Sequence, residues 1–215
     1  MSKLAPSILS ADFCKLGEQI QKLEENDIGL LHIDVMDGAF VPSISFGMPV
    51  IKSIRKITNM FFDTHLMVKE PIRYIEEFAK CGADGVTVHF EACSDLEATL
   101  KKIKDMKMKC SVAISPDTDI ESIEDILHMV DMVLVMSVYP GFGGQKFIKS
   151  SLEKVKKLNL IREEKNYDFL IEIDGGVSIE NAKEIATAGV DLLVAGTAVF
   201  SGDMKKNIDI LKGEI

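Results

Sequence analysis

The chain is poor in the features that mark a secreted, membrane-bound or nucleic-acid-binding protein. Its four cysteines, Cys14, Cys81, Cys93 and Cys110, lie far apart and form no Cys-x-x-Cys pair. They read as reduced thiols of a cytosolic protein rather than as a disulfide framework. No run approaches the ~18–20 apolar residues of a membrane span. The N-terminal stretch Met1-Ser2-Lys3-Leu4-Ala5-Pro6 lacks the apolar core and cleavage pattern of a secretory signal, so a cytoplasmic location is expected. Basic residues are outnumbered 25 to 34, a formal charge of -9, which argues against a nucleic-acid or anionic-membrane partner. A small anionic substrate stays possible, because backbone N–H groups at a helix start hold phosphate without any lysine.

Within 215 residues, 47% apolar and 27% charged, there is material for one substantial core. Length alone allows one or two domains. No linker or low-complexity tract divides the sequence, so residues 1–215 read as one domain. Short β-rich runs are expected near 3–9, 30–36, 61–67, 85–90, 110–115, 131–137, 168–174 and 191–195. Amphipathic, charge-rich stretches between them include Asp12 to Glu25, Pro71 to Cys81, Leu96 to Met106, Lys146 to Glu164 and Ile179 to Ala188. Gly82-Ala83-Asp84 and Gly189-Val190-Asp191 end two helices and start the next strand. Eight β/α units predict a single (β/α)8 TIM barrel, the α/β fold that closes at eight strands. A doubly wound open sheet shows the same alternation; polar residues at the strand C-termini favour the barrel.

Those polar residues repeat a two-residue spacing. His32 and Asp34 sit in Leu30-Leu31-His32-Ile33-Asp34-Val35-Met36, Asp63 and His65 in Phe61-Phe62-Asp63-Thr64-His65, and Glu172 and Asp174 in Leu170-Ile171-Glu172-Ile173-Asp174. Residues two apart on a strand share a face. Ionisable groups in apolar strands are costly unless paired or metal-bound. His32, Asp34, His65 and Asp174 therefore read as a divalent-metal site with catalytic carboxylates, and the mixed N/O donors suit Zn²⁺, Fe²⁺, Co²⁺ or Mn²⁺. Asp63 and Glu172 are expected below the site, orienting ligands. His89 ends strand 4 without an assigned role, and His128 is expected on an outer helix without function. Met36, Met67 and Met136 stand at strand ends, either as core filler or as an apolar pocket lining. Glycine turns at Gly141-Phe142-Gly143-Gly144, Gly175-Gly176 and Gly196-Thr197 would surround one corner of the mouth and hold phosphate through backbone N–H groups.

With these residues in place, the chain resembles the ribulose-phosphate 3-epimerase family over nearly its whole length. The resemblance is carried by Ala5-Pro-Ser-Ile-Leu-Ser-Ala-Asp12, His32-Ile-Asp-Val-Met-Asp-Gly38 with Phe40-Val41-Pro42, His65-Leu-Met-Val68, Met136-Ser-Val-Tyr-Pro-Gly-Phe-Gly-Gly-Gln145, Asp174-Gly-Gly-Val177 and Ala195-Gly-Thr197. It implies reversible C3 epimerisation of D-ribulose 5-phosphate to D-xylulose 5-phosphate in the pentose phosphate pathway. Asp34 and Asp174 would be the acid/base pair working through an enediolate. His32, Asp34, His65 and Asp174 would hold one divalent ion, with Zn²⁺ the first expectation. Ser7, His65, Gly141, Phe142, Gly143, Gly144, Asp174, Gly175, Gly176, Gly196 and Thr197 would contact the ketose phosphate, and a homo-oligomer is implied. Tyr139 and Ser115 stand where the family commonly has Asn, which bears on pocket shape rather than on the reaction. The rival readings are an epimerase for a six-carbon ketose phosphate, a metal-dependent aldolase and a catalytically silent sugar-phosphate binder.

Overall fold

In the computed structural model, which describes residues 2–215, eight strands run parallel around a barrel. They are β1 (Lys3–Pro6), β2 (Leu30–Met36), β3 (Phe61–Met67), β4 (Gly85–His89), β5 (Lys109–Ile114), β6 (Met132–Met136), β7 (Leu170–Asp174) and β8 (Leu192–Ala195). Successive strands from β2 to β8 pair with one another, and β8 pairs with β1. An isolated parallel bridge between Ser7 and His32 joins β1 to β2 and closes the ring. The barrel expected from the sequence is the fold observed.

Strand alternation divides the side chains into two populations. Leu31, Ile33, Phe62, Leu66, Val86, Val88, Val112, Val133, Ile171 and Leu193 belong to the main apolar core, which lies between the sheet and its surrounding helices. The alternate positions form the barrel interior, where register sets His32 beside Asp63, Asp34 beside His65, His65 beside Thr87, and Met136 beside Asp174. A barrel interior is ordinarily filled with branched aliphatics. Here its upper half carries imidazoles and carboxylates.

The helices are α1 (Leu16–Glu25), α2 (Met48–Ile54), α3 (Ile75–Cys81), α4 (Leu96–Asp105), α5 (Ser151–Lys165), α6 (Ala182–Thr187), α7 (Thr197–Phe200) and α8 (Met204–Glu214). On α1, Leu16, Ile20 and Leu23 are buried at helical spacing. On α4, the Asp95 carboxylate caps the first turn through Ala98 N at 2.9 Å. Several boundaries differ from the sequence expectation, such as the helix expected from Asp12 beginning at Leu16 and that expected from Pro71 beginning at Ile75. Three departures have a visible cause. β1 stops at Pro6, because the Ser7 side chain accepts from Leu9 N and starts a 3₁₀ turn. The helix expected from Lys146 begins at Ser151, residues 140–150 being taken up by the glycine loop. The β5–β6 crossover carries only 3₁₀ turns, Ile120–Ser122 and Glu124–Met129, so His128 is exposed on a 3₁₀ segment rather than on an outer α-helix.

Candidate active site

β2 delivers His32 and Asp34, β3 delivers His65, and β7 delivers Asp174, all at the C-terminal end of the barrel. One donor atom from each lies within 4.8 Å of the other three. His32 Nε2 is 3.3 Å from His65 Nδ1 and 3.4 Å from Asp34 Oδ1. His65 Nδ1 is 3.0 Å from the same carboxylate oxygen. Asp174 Oδ2 stands 3.9 Å from His32 Nε2 and 3.8 Å from His65 Nδ1. Donors about 2.0–2.1 Å from one tetrahedral ion would be roughly 3.3–3.4 Å apart. The spacing and the N₂O₂ donor set thus fit a single borderline divalent ion.

The ring nitrogens facing away from this cluster have partners of their own. His32 Nδ1 is 2.7 Å from Asp63 Oδ2 and 3.5 Å from Glu172 Oε1, while His65 Nε2 is 2.9 Å from His89 Nε2. Asp63 and Glu172 therefore sit beneath His32, where alternation put them. Glu172 makes no well-formed hydrogen bond with either carboxylate oxygen despite complete burial. Burial, reinforced by the neighbouring Asp63 charge, pushes its pKa well above the ordinary glutamate value.

Charge is shared unevenly across the cluster. Burial opposes ionisation of Asp34, but the His32 and His65 rings outweigh it and hold this carboxyl far below the usual range. Ser7 Oγ adds a hydrogen bond at 2.5 Å to the other oxygen, Asp34 Oδ2. Asp174 is pushed up to about 7 by burial and by the charge of Asp34. His32 is raised well above its ordinary value, since Asp34, Glu172 and Asp63 together overcome desolvation. His65 is lowered to about 4, chiefly by burial, with the His89 and His32 rings adding to the effect.

Above the cluster opens a cavity of about 310 Å³. Its wall includes Ser7, Asp34, Met36, Met136, Asp174 and every residue of the three glycine turns named from the sequence: Gly141, Phe142, Gly143, Gly144, Gly175, Gly176, Gly196 and Thr197. His32 and His65 are fully buried beneath this floor. Met67 departs from the expected lining. It is 2% exposed and packs with Met36 and Val41, against Leu9 and Phe40, so the methionine beside it in register takes the wall position. Tyr139 also stays off the wall, its hydroxyl donating to Asp117 Oδ1 at 3.0 Å. Ser10 joins the wall without having been singled out in the sequence; its signal was proximity to Ser7 at the exit of β1.

Comparison with known proteins gives matches over nearly the whole chain. The model of the ribulose-phosphate 3 epimerase family matches residues 3–200. A ribulose-phosphate 3-epimerase of Bacillus subtilis (strain 168) is 48% identical over 215 residues, covering 99% of both chains. That of Escherichia coli (strain K12) is 41% identical over 214 residues, covering 99% of this chain and 95% of its own. Among solved structures, KGPDC from Streptococcus mutans superposes with a TM-score of 0.74 at 15% identity, covering 99% of this chain and 96% of that one. A 3-hexulose-6-phosphate synthase does so with a TM-score of 0.69 at 19% identity, over all of both chains. At such low identities the structural likeness is one of fold.

Proposed function

Given that the chain belongs to the ribulose-phosphate 3-epimerase family, we propose that it interconverts D-ribulose 5-phosphate and D-xylulose 5-phosphate in the pentose phosphate pathway, by a metal-assisted two-base mechanism. The observation that carries this reading is the pair Asp34 and Asp174. They reach one cavity from strands well apart in the ring, β2 and β7. Inverting a carbon beside a ketone requires proton removal from one face and delivery to the other, which two carboxylates accomplish and one does not. Asp34, ionised and oriented by Ser7, takes the C3 proton in one direction. Asp174 holds the proton returned to the opposite face, and the roles exchange in reverse. His32, Asp34, His65 and Asp174 would hold a divalent ion, which would supply Lewis-acid stabilisation of the enediolate charge when bound; Zn²⁺ is the ion we favour, with Fe²⁺, Co²⁺ and Mn²⁺ also suited to the donors.

The phosphate is assigned to the turns at Gly141–Gly144, Gly175–Gly176 and Gly196–Thr197, which line the cavity and are of the glycine-rich kind whose backbone N–H groups suit an anion. Anchoring the substrate there fixes the reacting carbon between the carboxylates, so binding energy far from C3 contributes to orientation. Residues 1–215 act in this reading as one barrel domain, in a cytoplasmic homo-oligomer whose size sedimentation would give.

The test is epimerisation of ribulose 5-phosphate in D₂O by the purified chain, before and after chelation. Activity should vanish on stripping, return with Zn²⁺ or another of these ions, and place solvent deuterium at C3 of the product. Asp34→Asn and Asp174→Asn should each lower kcat by about 10²–10⁴-fold with the fold intact by circular dichroism. Near-normal turnover in either variant removes that residue from the scheme. Preferential turnover of a six-carbon ketose phosphate would keep the chemistry and change the substrate.

A further inference from the structure

His89 takes no part in the two-carboxylate scheme, yet it is fully buried directly behind His65. The two rings lie 5.0 Å apart at 27°, and Phe40 packs against His89 with ring centroids 4.9 Å apart. His65 Nε2 and His89 Nε2 are 2.9 Å apart. The far nitrogen of His89, Nδ1, is 3.2 Å from Glu91 Oε2. Glu91 is fixed in turn: Oε1 accepts from Ser115 N at 2.8 Å and from the Thr118 hydroxyl. The loop bearing those donors is held by Lys154 of α5, whose ammonium donates to the carbonyls of Ser115, Pro116 and Thr118 at 3.0, 2.7 and 2.6 Å.

We propose that His89 and Glu91 are positioning residues which fix the tautomer and plane of His65, so that its Nδ1 lone pair faces the Asp34–Asp174 cluster. This rests on the metal reading of that cluster. A neutral imidazole carries one N–H and one lone pair. For His65 to offer a lone pair at Nδ1, its hydrogen must be on Nε2, where the acceptor it meets among the described residues is His89 Nε2. His89 must then carry its own hydrogen on Nδ1, and that hydrogen is received by Glu91. The opposite arrangement, with His65 Nδ1–H donating to Asp34, requires His89 Nε2–H. In a neutral His89 it would turn the remaining lone pair onto the Glu91 carboxylate, acceptor against acceptor. Glu91 therefore selects one tautomer across two rings, as Asp63 does across one for His32.

Two measurements test this. Long-range ¹H–¹⁵N spectra of the ¹⁵N-histidine-labelled, Zn²⁺-loaded wild-type chain read the tautomers directly and need no variant. His89 protonated on Nδ1 and His65 on Nε2 are expected; His89 protonated on Nε2 overturns the proposal. Competition with a chromophoric chelator gives the Zn²⁺ Kd of wild type, Glu91→Gln, His89→Phe and the double variant. Each single change should weaken Zn²⁺ binding about 10–100-fold. The double variant should be no weaker than His89→Phe within about threefold, because both act along one path. Additive losses would mean that Glu91 merely holds its loop, and single variants within threefold of wild type would discard both residues. A wild-type chain that takes up no divalent ion overturns the metal reading itself, and this inference with it.

Discussion

Asp34 and Asp174 converge on one cavity floor, but without an ion they hold protons very differently, and that difference governs how an ion enters. Asp174, raised to about 7 by burial and the Asp34 charge, is largely protonated at pH 6. His32, raised well above its ordinary value by Asp34, Glu172 and Asp63 against the pull of burial, keeps a proton that an incoming cation must displace. His65, lowered to about 4, has already lost its own. The sign follows: groups whose pKa is raised compete with the cation below that pKa, so affinity climbs as pH rises through 7. We expect Zn²⁺ or Co²⁺ to bind at least tenfold more tightly at pH 8 than at pH 6, with measurable proton release. Calorimetry in buffers of different ionisation enthalpy counts those protons. A pH-independent affinity with no proton release would contradict the charge distribution described here.

The turn leaving β7 shows what an element demands of single residues. Gly176 has φ +66, and a Cβ there would meet Phe147 N at 2.5 Å and Gln145 O at 2.9 Å, backbone atoms with no flexible end to yield. Gly144 has φ +72 but open space around it. Gly176→Ala should therefore add displacement of the 145–147 segment to about 1–3 kcal/mol of backbone strain and lower kcat/KM at least tenfold. Gly144→Ala should show the strain with a smaller kinetic effect. Steady-state kinetics on both variants decide it, equal losses meaning that the β7 turn does not press on the loop. Strands were legible because two-residue alternation in Leu30–Met36 or Leu170–Asp174 is a strong local signal. Seven-residue α2, with Pro49 in its first turn, is too short for a helical period to register. α8 was not assigned from the sequence, although Asp203 as cap and Met204, Ile208 and Leu211 at helical spacing were there to mark it. Glu91 escaped notice for a different reason. The chain leaves the strand at His89 for a 3₁₀ turn, so alternation no longer links the two residues, and their contact depends on a loop from β5.

Across the whole barrel, chemistry and stability are assigned to opposite ends. The N-terminal end has the larger cavity, about 850 Å³ against 310 Å³, but the four converging donors sit at the other. What the N-terminal rim carries is a repeated clamp. Asp84 accepts from Phe62 N, Asp131 from Cys110 N and Asp191 from Ile171 N, at 2.8, 2.9 and 2.8 Å. Each carboxylate, set just before one strand, thus ties the start of the preceding one. Two of these aspartates stand in the Gly-x-Asp repeats visible in the sequence, but their function is not local: it requires knowing which strands are neighbours. At Asp191 an arginine joins the clamp: Arg162 of α5 bonds its carboxylate at 2.6 Å and the Phe169 carbonyl at 2.9 Å. Removing the aspartate leaves the Ile171 N–H without its acceptor and the guanidinium without its carboxylate partner, while β8 still delivers Gly196 and Thr197 to the far end. Asp191→Ala should lower the unfolding free energy by about 1–3 kcal/mol and leave kcat/KM within twofold at temperatures where the variant is folded. Denaturant titration and kinetics on one preparation check both halves. A large kinetic loss without a stability loss would show that the rim communicates with the site, because a purely structural clamp has no other route to the chemistry.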